Sequence, residues 1–142
     1  MGDLIHEGTG SAGDGSPGVG FADGVQGGGC ISFAVPADYV QGTPMSLDLF
    51  LAAGAAGTGT INFYVRWAGL TNGAYASTGG SIAASPVAPG GTGYLVKQTF
   101  TLPAFTASLP DFALLTIRRT VNDTYGGHVT LVGLRLSYQA RQ

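Results

Sequence analysis

The sequence predicts an all-β fold, an antiparallel β-sandwich or jelly roll of seven to eight strands with an extended glycine-rich N-terminal arm. Apolar residues alternate at period two in several short runs, and turn residues separate these runs at regular spacing. No amphipathic helix of convincing length interrupts them. The chain of 142 residues suits one domain, and its 44% hydrophobic content is sufficient for a packed core.

Residues 1–29 are predicted to form the arm and residues 30–142 the domain. Ten glycines lie within residues 8–29, and such a composition buries too little apolar surface to offset the entropy lost on ordering. Two interpretations of the arm are open, a flexible tail or a segment that orders against a neighbouring subunit. In the second, Val19 and Phe21 are the apolar anchors.

The first strands of the domain follow from alternation. Apolar side chains alternate over residues 31–35, 47–51 and 61–67. If the second and third runs pair as a hairpin, Leu49 lies opposite Phe63. If the chain crosses between two sheets instead, the same side chains face each other across the interior. Both arrangements place them in the core.

The following segment is less regular. Residues 70–93 are rich in Gly, Ala, Ser and Pro and hold at most a short edge strand near residues 81–84. Inward alternation resumes over residues 94–102. Residues 112–119 are predicted to be a strand from their Thr and Ile content, and a short helix over 112–121 is the competing interpretation.

The last predicted strand covers residues 128–139. Its apolar positions change from odd to even numbers, which a β-bulge around residues 131–133 explains because one extra residue resets the face. The inward phase of their strands also places Trp67 and Tyr138 in the core.

Charge is sparse, at 10% of residues and a net charge of −2. Six basic residues are too few to attract nucleic acid, and no apolar run approaches the length of a membrane-spanning helix. No basic segment followed by an apolar one opens the chain, so no secretory leader is expected. An apolar chain with so few charges favours burial in an assembly, and a glycine-rich monomer is the alternative.

No motif predicts catalysis, a cofactor or a metal. Two stretches within residues 8–18 match G-x-G-x-x-G in letters, but no strand precedes them and no helix follows. The histidines are His6 and His128, and no serine lies in a nucleophile elbow. The single cysteine, Cys30, excludes an internal disulfide and a cysteine-based metal cluster.

Most of the positive charge lies on predicted strands. In a chain so poor in charge, arginines at such positions favour ion pairs with Asp48 or with acidic residues of a partner. The alternative is that they only solubilise an outer face of a sheet. The candidate interface residues are four arginines on strands and the two apolar residues of the arm: Arg66, Arg118, Arg119, Arg135, Val19 and Phe21.

Three segments resemble the jelly-roll domains of tailed-bacteriophage virion proteins, a group that includes capsid decoration (cement) proteins and fibre-associated domains. They are residues 33–39 (FAVPADY), 59–67 (GTINFYVRW) and 123–138 (DTYGGHVTLVGLRLSY). The resemblance covers about residues 30–139. It implies a non-enzymatic homotrimer that is made in the host cytoplasm and binds the major capsid protein on the capsid exterior. It brings no catalytic residues.

A second function is compatible with the same architecture. Carbohydrate-binding modules are also β-sandwiches, so the fold alone does not decide between the two functions. In this alternative the chain is a sugar- or receptor-binding module of a phage tail or fibre protein. Three tyrosines predicted to face outward or to lie on loops would then stack on the glycan: Tyr64, Tyr75 and Tyr125.

Overall fold

The structure is a computed structural model. It describes residues 19–21, 28–53, 59–71, 74–83, 87–89, 95–106, 108–120 and 123–142. Within these residues the chain forms eight strands. They are β1 (Val19–Phe21), β2 (Gly28–Ala34), β3 (Met45–Ala53), β4 (Phe63–Thr71), β5 (Ala74–Ala83), β6 (Leu95–Leu102), β7 (Phe112–Arg119) and β8 (Val129–Ser137).

The strands form two four-stranded sheets in which all paired neighbours are antiparallel. Sheet A has the order β1-β8-β3-β6, and sheet B has the order β2-β7-β4-β5. The chain changes sheet at every connection except the one between β4 and β5. Because the described residues contain strands and no helix, the predicted all-β sandwich is confirmed.

The core lies between the sheets and consists of the side chains on the inward phase of each strand. Leu49 of β3 and Phe63 of β4 are both fully buried. They belong to different sheets, since β3 pairs with β6 and β8. The crossing arrangement is therefore the right one, and the hairpin between these two runs is wrong. Phe21 contacts Phe63 edge to face at 5.0 Å between ring centroids.

Three later elements can be compared with their predictions. Residues 112–119 form strand β7, so the helical interpretation is wrong. The predicted bulge in β8 is confirmed, because Gly133 pairs with Phe50 and Leu131 pairs with Leu51, which leaves Val132 as the extra residue. The edge strand β5 has 10 residues and is much longer than predicted.

The interior position predicted for Tyr138 is wrong. Tyr39 occupies the interior at this end of the sandwich and is fully buried. The Tyr138 ring packs beside it, with 6.4 Å between ring centroids, and remains 36% exposed. Its hydroxyl donates a hydrogen bond to the exposed carboxylate of Asp38 at 3.0 Å.

The sheets begin earlier in the chain than residue 30. Strand β1 pairs with β8 at the edge of sheet A, where Val19 lies opposite Leu131. Phe21 is 2% exposed and belongs to the core of its own chain. Strand β2 begins at Gly28. The rest of the predicted arm, residues 1–18 and 22–27, lies outside the described residues.

The burial of Phe63 leads to a test of the core. We expect Phe63→Ala to lower the free energy of unfolding by about 3–5 kcal/mol, because it removes a ring that is buried between the sheets. The matched control is Leu95→Ala, which truncates a side chain that is 58% exposed and should change stability by less than about 0.5 kcal/mol. Urea unfolding of the two variants measures both values. Equal losses would contradict the assignment of the core.

Candidate functional site

One candidate interface residue, Arg119, lies inside the protein. It ends strand β7 on the inward phase and is 2% exposed. Its Nε and Nη2 each donate to the carboxylate of Asp123 at 2.8 Å. Nη1 donates to the carbonyl oxygens of Phe21 at 3.2 Å and Gly127 at 2.8 Å, and Nη2 also donates to the carbonyl of Tyr125. All five guanidinium N–H groups therefore have acceptors.

The ion pair between Arg119 and Asp123 also orders the loop between β7 and β8. Besides Arg119, the carboxylate of Asp123 accepts the backbone N–H groups of Asn62 at 3.2 Å and Tyr125 at 3.0 Å. Tyr125 is fully buried, and its ring covers Gly127 so closely that an added Cβ there would lie 2.6 Å from it. Tyr125 is therefore unavailable as a glycan contact.

The internal ion pair leads to a second stability test. We expect Arg119→Met to cost about 3–5 kcal/mol of unfolding free energy, because the buried carboxylate of Asp123 loses its partner. Arg118→Met, one residue earlier and exposed, should cost less than about 0.5 kcal/mol. Both are measured by urea unfolding. Adding Asp123→Leu to Arg119→Met should recover part of the loss, and a double variant that shows the full sum of the single losses would contradict the coupling.

Arg135 forms the ion pair with Asp48 that the sequence indicated. It lies on the outer face of sheet A, where its Nε and Nη2 donate to Oδ2 of Asp48 at 3.1 and 2.5 Å. Thr99 Oγ1 donates to Oδ1 at 2.7 Å, and Lys97 Nζ lies 3.9 Å from Oδ2. The Arg135 guanidinium also lies over the ring of Phe50 at 5.7 Å. Asp48 is buried beneath these groups.

These contacts lower the pKa of Asp48 below its ordinary value of 3.8. The hydrogen bond from Thr99 has the largest effect and the one from Arg135 follows, while burial opposes them. A carboxyl group whose pKa is lower in the folded protein stabilises it above the ordinary pKa. That contribution disappears as the pH falls through the folded value.

The lowered pKa of Asp48 leads to a prediction about pH dependence. At pH 7 we expect Asp48→Asn to lower the free energy of unfolding by about 1 kcal/mol, through loss of the charged hydrogen bonds. The difference from the wild type should shrink as the pH falls below the ordinary pKa of 3.8. Urea unfolding across this range measures the difference. A constant or growing difference at low pH would contradict the lowered pKa.

The outer face of sheet B brings together residues for which the sequence predicted separate roles. Strand register places Cys30, Thr116 and Arg66 in one row across β2, β7 and β4. In the next row, Arg118 lies opposite Tyr64, and its Nη1 donates to the Tyr64 hydroxyl at 3.3 Å. A cavity of about 120 Å³ opens between four side chains, which we call the cationic pocket: Tyr64, Arg66, Thr116 and Arg118.

The other end of the same face is apolar. Phe112 lies between Ala34 of β2 and Leu70 of β4 and is 52% exposed. We call these three residues the apolar patch. The face of sheet B is thus apolar at one end and positively charged at the other. The sequence gives no direct signal for this arrangement, because the strands that form it are distant along the chain.

The remaining candidate residues are Val19, Phe21, Tyr64 and Tyr75. The side chains of Val19 and Tyr75 lie outside the described residues, although both backbones are in strands. Phe21 is buried in its own chain. Tyr64 contributes to the cationic pocket, whereas Tyr125 is buried, so these two of the three tyrosines proposed as glycan contacts do not share an exposed platform.

A shallow groove of about 420 Å³ lies at the end of sheet A where Tyr138 is exposed. Its hydroxyl is held by Asp38, and this hydrogen bond raises the pKa of Tyr138 above 10.0. The groove is lined by Pro44, Met45, Ser46, Thr101, Ser137, Tyr138 and Gln139.

Comparison with protein-family models, curated proteins and solved structures finds no match. Within the described residues, no group of three or more His, Cys, Asp or Glu side chains is arranged to hold a metal ion. The same part of the chain contains no helix long and apolar enough to cross a membrane.

Proposed function

We propose that the protein is a non-enzymatic structural component of a bacteriophage virion, a capsid decoration protein that binds the major capsid protein as a homotrimer. It would be made in the host cytoplasm and lie on the capsid exterior. Neither nucleic acid nor a membrane is a partner in this proposal, and no cofactor is required.

The strand pairing supports the jelly-roll part of this proposal. The pairs β1·β8, β2·β7, β3·β6 and β4·β5 are those of one long hairpin. A hairpin of this kind folded over itself gives two four-stranded sheets with the order of a jelly roll. Of the three segments that resemble phage virion domains, residues 59–67 include the first half of β4 and residues 123–138 include all of β8. Both are interior strands of their sheets.

The observation that carries the assembly proposal is the apolar patch. A ring that is 52% exposed on the outer face of a sheet, between Ala34 and Leu70, is a typical anchor for a protein interface. The patch belongs to a chain in which only 10% of residues are charged. We assign it to the contact between copies of the chain in the trimer.

Light scattering after gel filtration tests the trimer. We expect the wild-type chain to have three times the mass of one chain, and Phe112→Asp to shift it to the monomer by weakening the contact at least about tenfold. The matched control is Leu95→Asp, which changes a side chain that is 58% exposed at the edge of sheet A and should leave the mass unchanged.

A monomeric wild-type chain at every concentration tested would contradict the trimer. Co-sedimentation with capsids assembled from the major capsid protein of the same phage then tests the decoration role. In that assay the contribution of the arm is measured by deleting residues 1–18, because a longer deletion would remove Phe21 from the core. Absence of capsid binding by the folded, full-length protein would contradict a decoration function.

The groove beside Tyr138 favours one alternative, a carbohydrate- or receptor-binding module of a phage tail or fibre protein. An exposed aromatic ring at the edge of a shallow groove is suited to stacking against a sugar ring. In this alternative, glycan binding on an array would be lost in Tyr138→Ala and retained in Tyr64→Ala. A folded protein that binds no glycan would contradict it.

A further inference from the structure

We propose that the cationic pocket on the outer face of sheet B is a binding site for a carboxylate group. The site consists of Arg66 and Arg118 with the hydroxyls of Tyr64 and Thr116. It lies at the opposite end of the face from the apolar patch. The inference does not rest on the proposed function, because a carboxylate site can be tested on the isolated protein.

The geometry of the pocket comes from strand register. Arg66 lies directly opposite Thr116, and Arg118 lies directly opposite Tyr64, so the four side chains occupy two adjacent rows on neighbouring strands. The hydrogen bond from Arg118 Nη1 to the Tyr64 hydroxyl holds one guanidinium at the wall of the pocket. The enclosed volume of about 120 Å³ is sufficient for a small planar group.

The charge of the pocket is uncompensated within the described residues. The carboxylate of Asp123 is used by Arg119, and that of Asp48 by Arg135 and Lys97. No described carboxylate forms an ion pair with Arg66 or Arg118. Two guanidinium groups with no acidic partner between them attract an anion.

A carboxylate suits these donors better than a compact point charge such as chloride. Guanidinium groups are planar and donate two parallel N–H bonds, which match the two oxygens of a carboxylate. The hydroxyl groups of Tyr64 and Thr116 are further donors at the same wall. The ligand is therefore a group with two acceptor oxygens, supplied by an acidic side chain or by a small carboxylic acid.

The N-terminal segment of the chain is one source of carboxylate groups. Four of its eight acidic residues lie in the first 27 positions, whereas all six basic residues come later in the chain. These acids are Asp3, Glu7, Asp14 and Asp23. The N-terminal segment of a second copy and an acidic side chain of another protein offer the same chemistry, and measurements on the wild-type chain distinguish them.

Cys30 provides a reporter at the pocket. Its thiol is exposed, and Sγ lies 3.4 Å from Oγ1 of Thr116. As the only cysteine, it reacts with an aromatic disulfide by attack on one sulfur, which forms a mixed disulfide and releases one aromatic thiolate. The rate with dithiobis(nitrobenzoate), which carries two carboxylates, is divided by the rate with neutral dithiodipyridine. This quotient, the rate ratio, measures attraction of carboxylates to the pocket.

The ratio is measured first in the variant Asp3→Asn, Glu7→Gln, Asp14→Asn, Asp23→Asn, so that the N-terminal acids do not compete. At low salt we expect the added change Arg66→Gln or Arg118→Gln to lower the rate ratio about threefold each. Arg141→Gln removes the same charge from an exposed position near the C-terminus and should leave the ratio unchanged. Arg66 and Arg118 are also exposed, so these variants are expected to fold.

Acetate and chloride at equal ionic strength then separate binding from general screening. We expect acetate to slow the reaction with dithiobis(nitrobenzoate) more than chloride does when Arg66 and Arg118 are both present. In the Arg66→Gln variant, we expect acetate and chloride to slow this reaction equally. An unchanged rate ratio in both arginine variants would overturn the proposal. Equal effects of acetate and chloride with both arginines present would overturn it as well.

The wild-type chain identifies the source of the carboxylate. A rate ratio that is lower in the wild type than in the variant without N-terminal acids only while Arg66 and Arg118 are both present means that the chain's own segment occupies the pocket. If the difference grows with protein concentration, the segment comes from a second copy. The third outcome is an equal rate ratio in the wild type and in the variant without N-terminal acids, together with a lower ratio when Arg66 or Arg118 is replaced. This outcome means that the site is open to carboxylates of another molecule.

Discussion

The buried ion pair between Arg119 and Asp123 is the interaction on which the rest of the sandwich depends. It joins the end of β7 to the loop before β8, to the backbone ahead of β4 and to the last residue of β1. Taking both charges out of water is costly unless every donor finds an acceptor. Here all five donors of Arg119 do so, and the pair fixes the edge strand β1 relative to sheet B.

The alternation of apolar residues predicted most of the fold, since side chains on one face of a strand are either buried together or exposed together. It also predicted the bulge in β8 from the change of apolar phase. The same reasoning could have found Arg119, which shares the inward phase of Ala113, Leu115 and Ile117. It failed for Tyr138 because phase alone does not show that Tyr39 already fills the interior there.

The surface sites were less predictable than the core. The scarcity of charge drew attention to the arginines on strands, and one of them, Arg135, forms the predicted ion pair with Asp48. The neighbours of Arg66 and Arg118, however, depend on the register between β4 and β7, which are distant in the chain. Register at that separation is set by the packing of the whole core, and no local pattern encodes it. Tyr64, a predicted glycan contact, thus meets Arg66 and Arg118, two candidate interface residues, in one pocket.

The bulge at Val132 has a consequence for the ion pair on the outer face of sheet A. It lies between Leu131, which is buried in the core, and Arg135, which is opposite Asp48. Successive residues of a regular strand point to opposite faces, so unbroken alternation from Val129 onward would turn Arg135 toward the interior and Leu136 toward the outer face. The extra residue thus lets one strand keep Leu131 and Leu136 on the inner face and still present Arg135 to Asp48.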